Sequence, residues 1–426
     1  MNERIVVGLD IGTTKVCAIV ASADENGKVN ILGVGKAPSD GLNRGVVVNI
    51  EKTVNAIRKA VEQAELASGI KVHAVNVGIA GDHIRSMRSK GVITINNKDQ
   101  EITPHDVERL LEDCQRIMLP TDQSIIHVIP QEFIVDGQDG ITDPVGMSGM
   151  RMEAEVHVIT GLVSAAKNIY RCVERAGYQV ADVILEPLGS SYAVLEDEEK
   201  EAGVVLVDIG GGTTDIAIFQ DNVIRHISVV AIAGSKVTDD IRIGLSVLEE
   251  QAIKLKHEHG LAYVNLVEEE EIIPVPGIAG RPPKEIKKSI LAQIIQARME
   301  EILEIVAIEI QRSGYSSELS AGVVFTGGGS LLSGICPLAN DVLSMDAKVG
   351  IPRGLTGGLV SEVNNPIFAT GVGLVLHALK SQSGSTALGS AGFEKDNTTG
   401  ISSSPTPVET VIKKVTDRMK DWFSEF

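Results

Sequence analysis

The chain has 426 residues, of which 39 are basic and 57 acidic, giving a formal net charge of −18. That balance excludes broad nucleic-acid binding, because a phosphate backbone demands a positive surface. Apolar residues make up 43% and charged residues 23%, which excludes bulk disorder, and the length suffices for several domains with buried cores. Cys17, Cys114, Cys172 and Cys336 stand far apart with no CxxC pair and no metal-ligand spacing, so buried thiols in a reducing cytosol are expected. The first residues lack the apolar core of a cleaved leader, and the most apolar stretch, residues 367–379, is too short to cross a bilayer.

In chain order, β-branched runs predict strands at residues 5–9, 72–79, 92–95, 203–208, 215–219 and 322–325. Apolar residues at helical spacing predict helices at residues 51–67, 104–116, 164–176 and 284–312. Strands alternating with helices indicate α/β units. Residues 381–407 then collapse to Ser, Gly, Thr, Ala and Pro and read as a flexible linker. Residues 408–426 resume a helical period, with Val408, Val411, Ile412, Val415, Met419, Trp422, Phe423 and Phe426 on one face.

An internal repeat carries the most information. The run Ile5-Val-Val-Gly-Leu-Asp10-Ile-Gly-Thr-Thr-Lys15 is similar to Val204-Val-Leu-Val-Asp208-Ile-Gly-Gly-Gly-Thr-Thr214. Each reads as a strand, an Asp and a Gly-rich turn with Thr-Thr, then a second strand, with the two Asp residues matching. Such a turn offers backbone N–H groups and hydroxyls with little bulk, which suits a phosphate chain. Asp10 and Asp208 end their strands where a carboxylate can hold Mg²⁺ through water, and Lys15 can add a point charge. Two copies facing each other imply two related lobes around a nucleotide cleft. Gly327-Gly-Gly-Ser330 follows an apolar strand and allows close backbone approach to a nucleoside, although the same residues would serve an ordinary strand-to-helix turn. There is no P-loop and no full dinucleotide fingerprint.

Gly8-Leu-Asp-Ile-Gly-Thr-Thr-Lys15, Val207-Asp-Ile-Gly-Gly-Gly-Thr-Thr-Asp215, Glu186-Pro-Leu-Gly-Ser-Ser-Tyr192, Val324-Phe-Thr-Gly-Gly-Gly329 and Phe368-Ala-Thr-Gly-Val-Gly373 together resemble the actin, Hsp70 and sugar-kinase superfamily. Within it, the combination resembles the FtsA family of bacterial cell-division proteins over essentially the whole chain. The resemblance implies an α/β, actin-like two-lobed fold with a duplicated RNase H-like core. It also implies a relocated small subdomain inserted in lobe one. The expected division is lobe one at 1–83, the insert at 84–161, lobe one resumed at 162–202, lobe two at 203–230 and 299–362, and a small lobe-two subdomain at 231–298. A lobe-one helix returns at 363–380, followed by the linker at 381–407 and the amphipathic helix at 408–426.

Residue by residue, the resemblance places ATP and Mg²⁺ at Asp10, Gly12, Thr13, Thr14 and Lys15, at Asp208, Gly210, Gly211, Gly212, Thr213 and Thr214, and at Gly327, Gly328, Gly329 and Ser330. Glu186 matches the acidic residue that positions an attacking water, and its alternative is a helix-start carboxylate. Lys254 matches a lysine near the nucleoside, but the family's glutamate three residues earlier is Gln251 here. At most a slow ATPase is implied.

The terminal helix would meet anionic membrane lipid through Val411, Ile412, Val415, Met419, Trp422, Phe423 and Phe426. Its four basic and four acidic residues cancel, so apolar burial must dominate, at about 1.5–3 kcal/mol for each fully buried side chain. The alternative is docking on the protein's own body. Arg281, Lys284, Lys287 and Lys288 form a basic cluster that reads either as a solvated helix start or, with Arg298, as the seat of an acidic peptide. The resemblance makes that peptide the C-terminal tail of FtsZ. It further implies self-assembly into filaments, recruitment of later divisome proteins, and a peripheral location on the cytoplasmic face of the cell membrane at the septum. The rivals are an actin-like pilus-assembly or rod-shape ATPase and a small-metabolite kinase. A kinase would leave the tethered helix without purpose and would need a catalytic Asp that nothing marks.

Overall fold

The structure is a computed structural model that describes residues 4–382, apart from 25–26, 97–98, 269–270, 276 and 278–281. The membrane-helix residues from Val411 to Phe426, the linker beyond Gln382, and Arg281 lie outside the described residues, while residues 381–382, expected in the linker, end helix Ala369–Gln382.

Two sheets share one topology. In the first, Arg4–Ile11, Lys15–Ala23 and Val29–Pro38 form an antiparallel meander, and Ala74–Ile79 then Gln179–Leu185 add in parallel on the other side of Arg4–Ile11. In the second, Val204–Ile209, Thr214–Gln220 and Val223–Val230 form the meander, and Val323–Thr326 then Ala347–Val349 add in parallel. The repeat read from two short motifs is thus a repeat of five strands in the same spatial order.

The strand Val204–Ile209 is buried throughout, which explains its unbroken apolar run. Alternate residues serve different cores. Val205, Val207 and Ile209 pack with lobe-two residues such as Leu303 and Phe325, while Val204 and Leu206 join the lobe-one core. In lobe one, helix Ile50–Ser68 covers the meander. Asn49 caps its start by accepting from the Lys52 N–H, and Gly69 ends it in the left-handed region at φ 69°.

Between Ala74–Ile79 and helix Val163–Ala176 the chain makes a separate four-stranded sheet, ordered Arg85–Thr94, Arg151–Leu162, Gln123–Val135, Gln138–Ile141. Helix Pro104–Cys114 closes its own apolar core. Thr103 and Asp106 form a reciprocal cap, the Thr103 N–H donating to Asp106 Oδ2 at 3.0 Å. Strand Arg85–Thr94 is longer than its sequence suggests, because residues 85–90 are polar or part-exposed and show no apolar alternation.

In lobe two, helices Gly234–Leu245 and Glu249–His259 and the hairpin Ile272–Val275/Lys284–Lys287 precede the long helix Lys288–Ser313. The expectation of helix from residue 284 is corrected here. Residues 284–287 pair as a strand with 272–275, and the helix begins only at Lys288.

Candidate functional site

The two hairpins close with identical turns. The Gly12 N–H donates to the Lys15 carbonyl and the Gly210 N–H to the Thr213 carbonyl, each at 2.9 Å. Asp10 lies opposite Cys17 and Asp208 opposite Asp215, so both loops have the same length. Structurally, therefore, Thr13 and Thr14 correspond to Gly211 and Gly212, and Lys15 corresponds to Thr213. The match of the copies runs through Asp10 and Asp208, and their Thr-Thr pairs stand two positions apart. The tips also meet each other: a Cβ on Gly211 would collide with Thr14, and one on Gly212 with Thr13. Bulky tip fits bare tip.

Behind the tips, four carboxyl groups face one ammonium. Asp10, Asp208 and Asp215 are buried, and Glu186 sits part-exposed at the start of helix Glu186–Val194. Lys15 Nζ bonds Asp10 Oδ2 at 2.9 Å. Burial alone would lower the Lys15 pKa, but the charge of Asp10, the hydrogen bond to it and the neighbouring Cys17 and Asp208 together outweigh it and hold the ammonium above its usual range. Burial, then the charges of Asp10, Asp215 and Asp208, push Glu186 well up. Burial and the charge of Asp208 do the same for Asp215, whose Oδ1 is buried without a hydrogen-bond partner. Asp208 is raised by burial, against the opposing hydrogen bond from Ser190.

This cluster needs positive charge, and its donor set suits a hydrated cation better than a bare one. Among the described residues no group of three or more His, Cys, Asp or Glu side chains converges to hold a metal directly. The unsatisfied Asp215 oxygen and the mutually raised carboxyls fit a cation that reaches them through its water shell.

The third glycine run leans on the second hairpin. Gly327 adopts φ +78°, and a Cβ there would strike Asp208 Oδ1, so only glycine lets this turn seat against the carboxylate. Gly328 is exposed, whereas Gly329 packs on Ile209. Ser330 Oγ donates to the Gly327 carbonyl at 2.7 Å and holds the turn in shape. Thr214 Oγ1 donates to the Ile232 carbonyl at 2.7 Å, and Thr13 Oγ1 accepts from the Gly45 N–H at 3.3 Å.

Lys254 is not drawn into the cluster. It pairs with Glu258 at 3.8 Å and lines a groove with Gln251, Leu255, Glu258, His259, Pro274 and Pro283. The lysine beside the second loop is Lys256, which donates to the Gly234 carbonyl at 3.0 Å and to Thr238 Oγ1 at 2.8 Å, while the Gly234 N–H donates to the Gly210 carbonyl. Lys256, Asp215, Ser190 and Thr370 are the residues that sequence reasoning did not assign. Asp215, Ser190 and Thr370 lay inside quoted motifs without being singled out, and Lys256 carries no local signal. Arg298 is gripped by Asp240 at 2.6 and 3.0 Å and also by Glu301, and Lys288 by Glu271 at 2.9 Å. Burial pushes the thiols of Cys17 and Cys114 up to about 12 and that of Cys172 to about 11.

Comparison with known proteins places this geometry. A family profile described as "Cell division protein FtsA" matches residues 205–373, and one described as "SHS2 domain inserted in FTSA" matches residues 81–160. The "Cell division protein FtsA" of Pseudomonas aeruginosa is 44% identical over 391 residues, covering 92% of this chain and 93% of that protein. The chain belongs to the FtsA family. Its Escherichia coli relative is 37% identical over 409 residues, with 94% and 96% covered, and its Bacillus subtilis relative is 40% identical over 379 residues, with 89% and 84% covered. Among solved structures, the PilM-PilN type IV pilus biogenesis complex aligns at TM-score 0.64 and 16% identity, covering 88% of this chain and 98% of that one. MreB5 of Spiroplasma citri bound to ADP aligns at 0.54 and 15%, covering 89% and 98%. These two share the actin-like fold, as the resemblance implies. As an FtsA-family member the chain is a cell-division protein, and the kinase and pilus readings fall away. Among the described residues no helix is long and apolar enough to cross a membrane.

Proposed function

We propose that the cleft binds ATP with Mg²⁺, and that the protein polymerises, holds FtsZ filaments on the cytoplasmic face of the membrane at the septum, and helps recruit later divisome proteins. The observation that carries the ATP reading is the face-to-face pair of phosphate-type turns over a carboxylate cluster with one lysine. In this reading Gly12 and Gly210 close the two turns, and the tip N–H groups of Thr13, Thr14, Gly211 and Gly212, the hydroxyls of Thr213 and Thr214 and the ammonium of Lys15 hold the phosphates. Asp10 and Asp208 hold Mg²⁺ through water, and the metal neutralises phosphate charge. Gly327–Ser330 take the nucleoside side, with Lys254 at its margin. Glu186, at the start of helix Glu186–Val194 beside the cluster, orients a water.

The division into lobes, insert, linker and tip belongs to the same proposal. The helix at 408–426 binds anionic lipid weakly as a single copy, and a filament of many tips binds by avidity. An acidic FtsZ tail would sit near Arg281, Lys288 and Arg298. To reach Arg298 it must exchange with Asp240, so ionic strength and the D240N variant should tune that contact. Flotation tests the whole reading. FtsZ filaments mixed with ATP, anionic liposomes and this protein should float with the lipid, and a chain ending at residue 403 should leave them behind while still binding ATP. Flotation of the truncated chain, or absence of ATP binding by calorimetry, would overturn the corresponding half.

A further inference from the structure

Asp208 stands where three elements converge. Its Oδ2 accepts from Ser190 Oγ at 2.8 Å and from Thr370 Oγ1 at 3.3 Å, and the two hydroxyls are 3.0 Å apart. All three residues are buried. On the other side, Gly327 gives up a side chain so that Asp208 Oδ1 has room. Ser190 lies on helix Glu186–Val194 and Thr370 on helix Ala369–Gln382, both packed in the lobe-one core, whereas Asp208 ends a lobe-two strand.

The two hydroxyls meet only because their helices cross without side chains between them. A Cβ on Gly373 would overlap the Gly189 carbonyl, and Gly189 itself faces Leu374 and the Thr370 carbonyl. This crossing sets one hydroxyl from each helix on a single carboxylate oxygen. A carboxylate in a buried site is satisfied by two such donors, yet nothing in ordinary packing requires them to come from the opposite lobe. An apolar pair would have made the same helix contact without touching Asp208.

We propose that Ser190 and Thr370 are positioning residues that fix the rotamer of Asp208, and so make cation binding in the cleft depend on how the lobe-one helices sit against lobe two. The inference rests on the nucleotide reading of the cleft and adds a coupling between the lobes to it. With Oδ2 committed, Asp208 presents one orientation to an incoming hydrated cation. If the helices shift, that orientation is lost. The hydroxyls act through Asp208, the carboxylate to which both are bonded.

The test uses the full chain. ATP affinity is measured by calorimetry across a Mg²⁺ series and again in EDTA, for the parent, S190A/T370V and the hydroxyl-retaining T370S. The double variant should lose about tenfold in Mg²⁺-dependent affinity, the scale of one charge-assisted hydrogen bond, while its affinity in EDTA stays within about twofold of the parent. T370S should behave as the parent. Unchanged Mg²⁺ dependence in S190A/T370V would overturn the proposal, as would an equal loss with and without Mg²⁺, which would mark a purely structural role. Should the double variant fail to fold, S190A alone carries the same comparison with a smaller loss. A parent that binds no ATP under either condition would instead remove the nucleotide reading, and the coupling with it.

Discussion

The two phosphate hairpins have one backbone and two chemistries. Both close from Gly12 or Gly210 over four residues, and both carry an Asp two residues before that glycine. In lobe one the tip is Thr-Thr, the turn ends in Lys15, and the residue opposite Asp10 is a neutral thiol, Cys17. In lobe two the tip is Gly-Gly, the turn ends in Thr213, and the residue opposite Asp208 is a second acid. Lobe one thus neutralises its own carboxylate, while lobe two holds a pair of like charges face to face, an arrangement unfavourable in a sheet unless something positive joins it. Duplication kept the turn and divided the charge.

The largest expected effect breaks the self-neutralised side. K15M leaves Asp10 buried without its partner. Urea unfolding should show a loss of about 3 kcal/mol, the low end for a broken buried pair because Lys15 is a quarter exposed, and K15M/D10N should recover most of it. Full stability of K15M would mean that Asp10 finds another donor. Next is the fit of the tips. G211V places a branched side chain against Thr14 and should weaken ATP binding by about a hundredfold, matching an overpacking cost near 3 kcal/mol, with partial recovery in T14G/G211V. Parental affinity in G211V would show that the tips do not close on the ligand.

A pH series sharpens the other side. Glu186 and Asp215 bind their protons more tightly folded than unfolded, so their contribution to stability is present at low pH and is lost as pH rises from the ordinary carboxylate range through their raised values. Buried His127 and His377, lowered to about 4 and about 3, act in the opposite sense, costing stability as pH falls below the usual histidine range. The difference between E186Q/D215N and the parent cancels the histidines. Nucleotide-free melting temperatures should diverge upward for the variant as pH rises past about 5, by about 2–4 °C per kcal/mol. A constant difference across pH would remove these groups from the buried cluster. The smallest effect is at the position equivalent to Lys15. T213V removes only a 3.5 Å hydrogen bond to Asp215 and should cost under about 1 kcal/mol by urea unfolding. A loss as large as that of K15M would refute the division of labour.

Much of this was legible in the sequence because it is local. A strand, an Asp and a Gly turn lie within a dozen residues, and Asp10, Lys15 and Asp208 could be assigned from them. The register of the repeat was legible from the same Asp residues, which strand pairing sets at equivalent positions although the Thr-Thr pairs stand two apart. Residues 284–287 read as helix because the apolar period runs on through Ile286, and only pairing with 272–275 decides otherwise. Ser190 and Thr370 stand inside quoted motifs, but they reach Asp208 from 18 and 162 residues away, so no spacing along the chain shows that they meet one carboxylate.

The insert has a consequence for solubility. It leaves and rejoins lobe one at neighbouring points, with Arg85 paired to Thr160, so in topological terms it could be cut out and the ends rejoined. Yet its Gln131 Nε2 donates to the Ile224 carbonyl at 2.9 Å, and Arg88 donates to the Ser313 carbonyl at 3.3 Å. It thereby stands guard over Val223–Val230, the outermost strand of the lobe-two sheet. A lineage that discarded this module would uncover a ready template for strand addition, and would have to blunt that edge by other means before the two lobes could stay in solution.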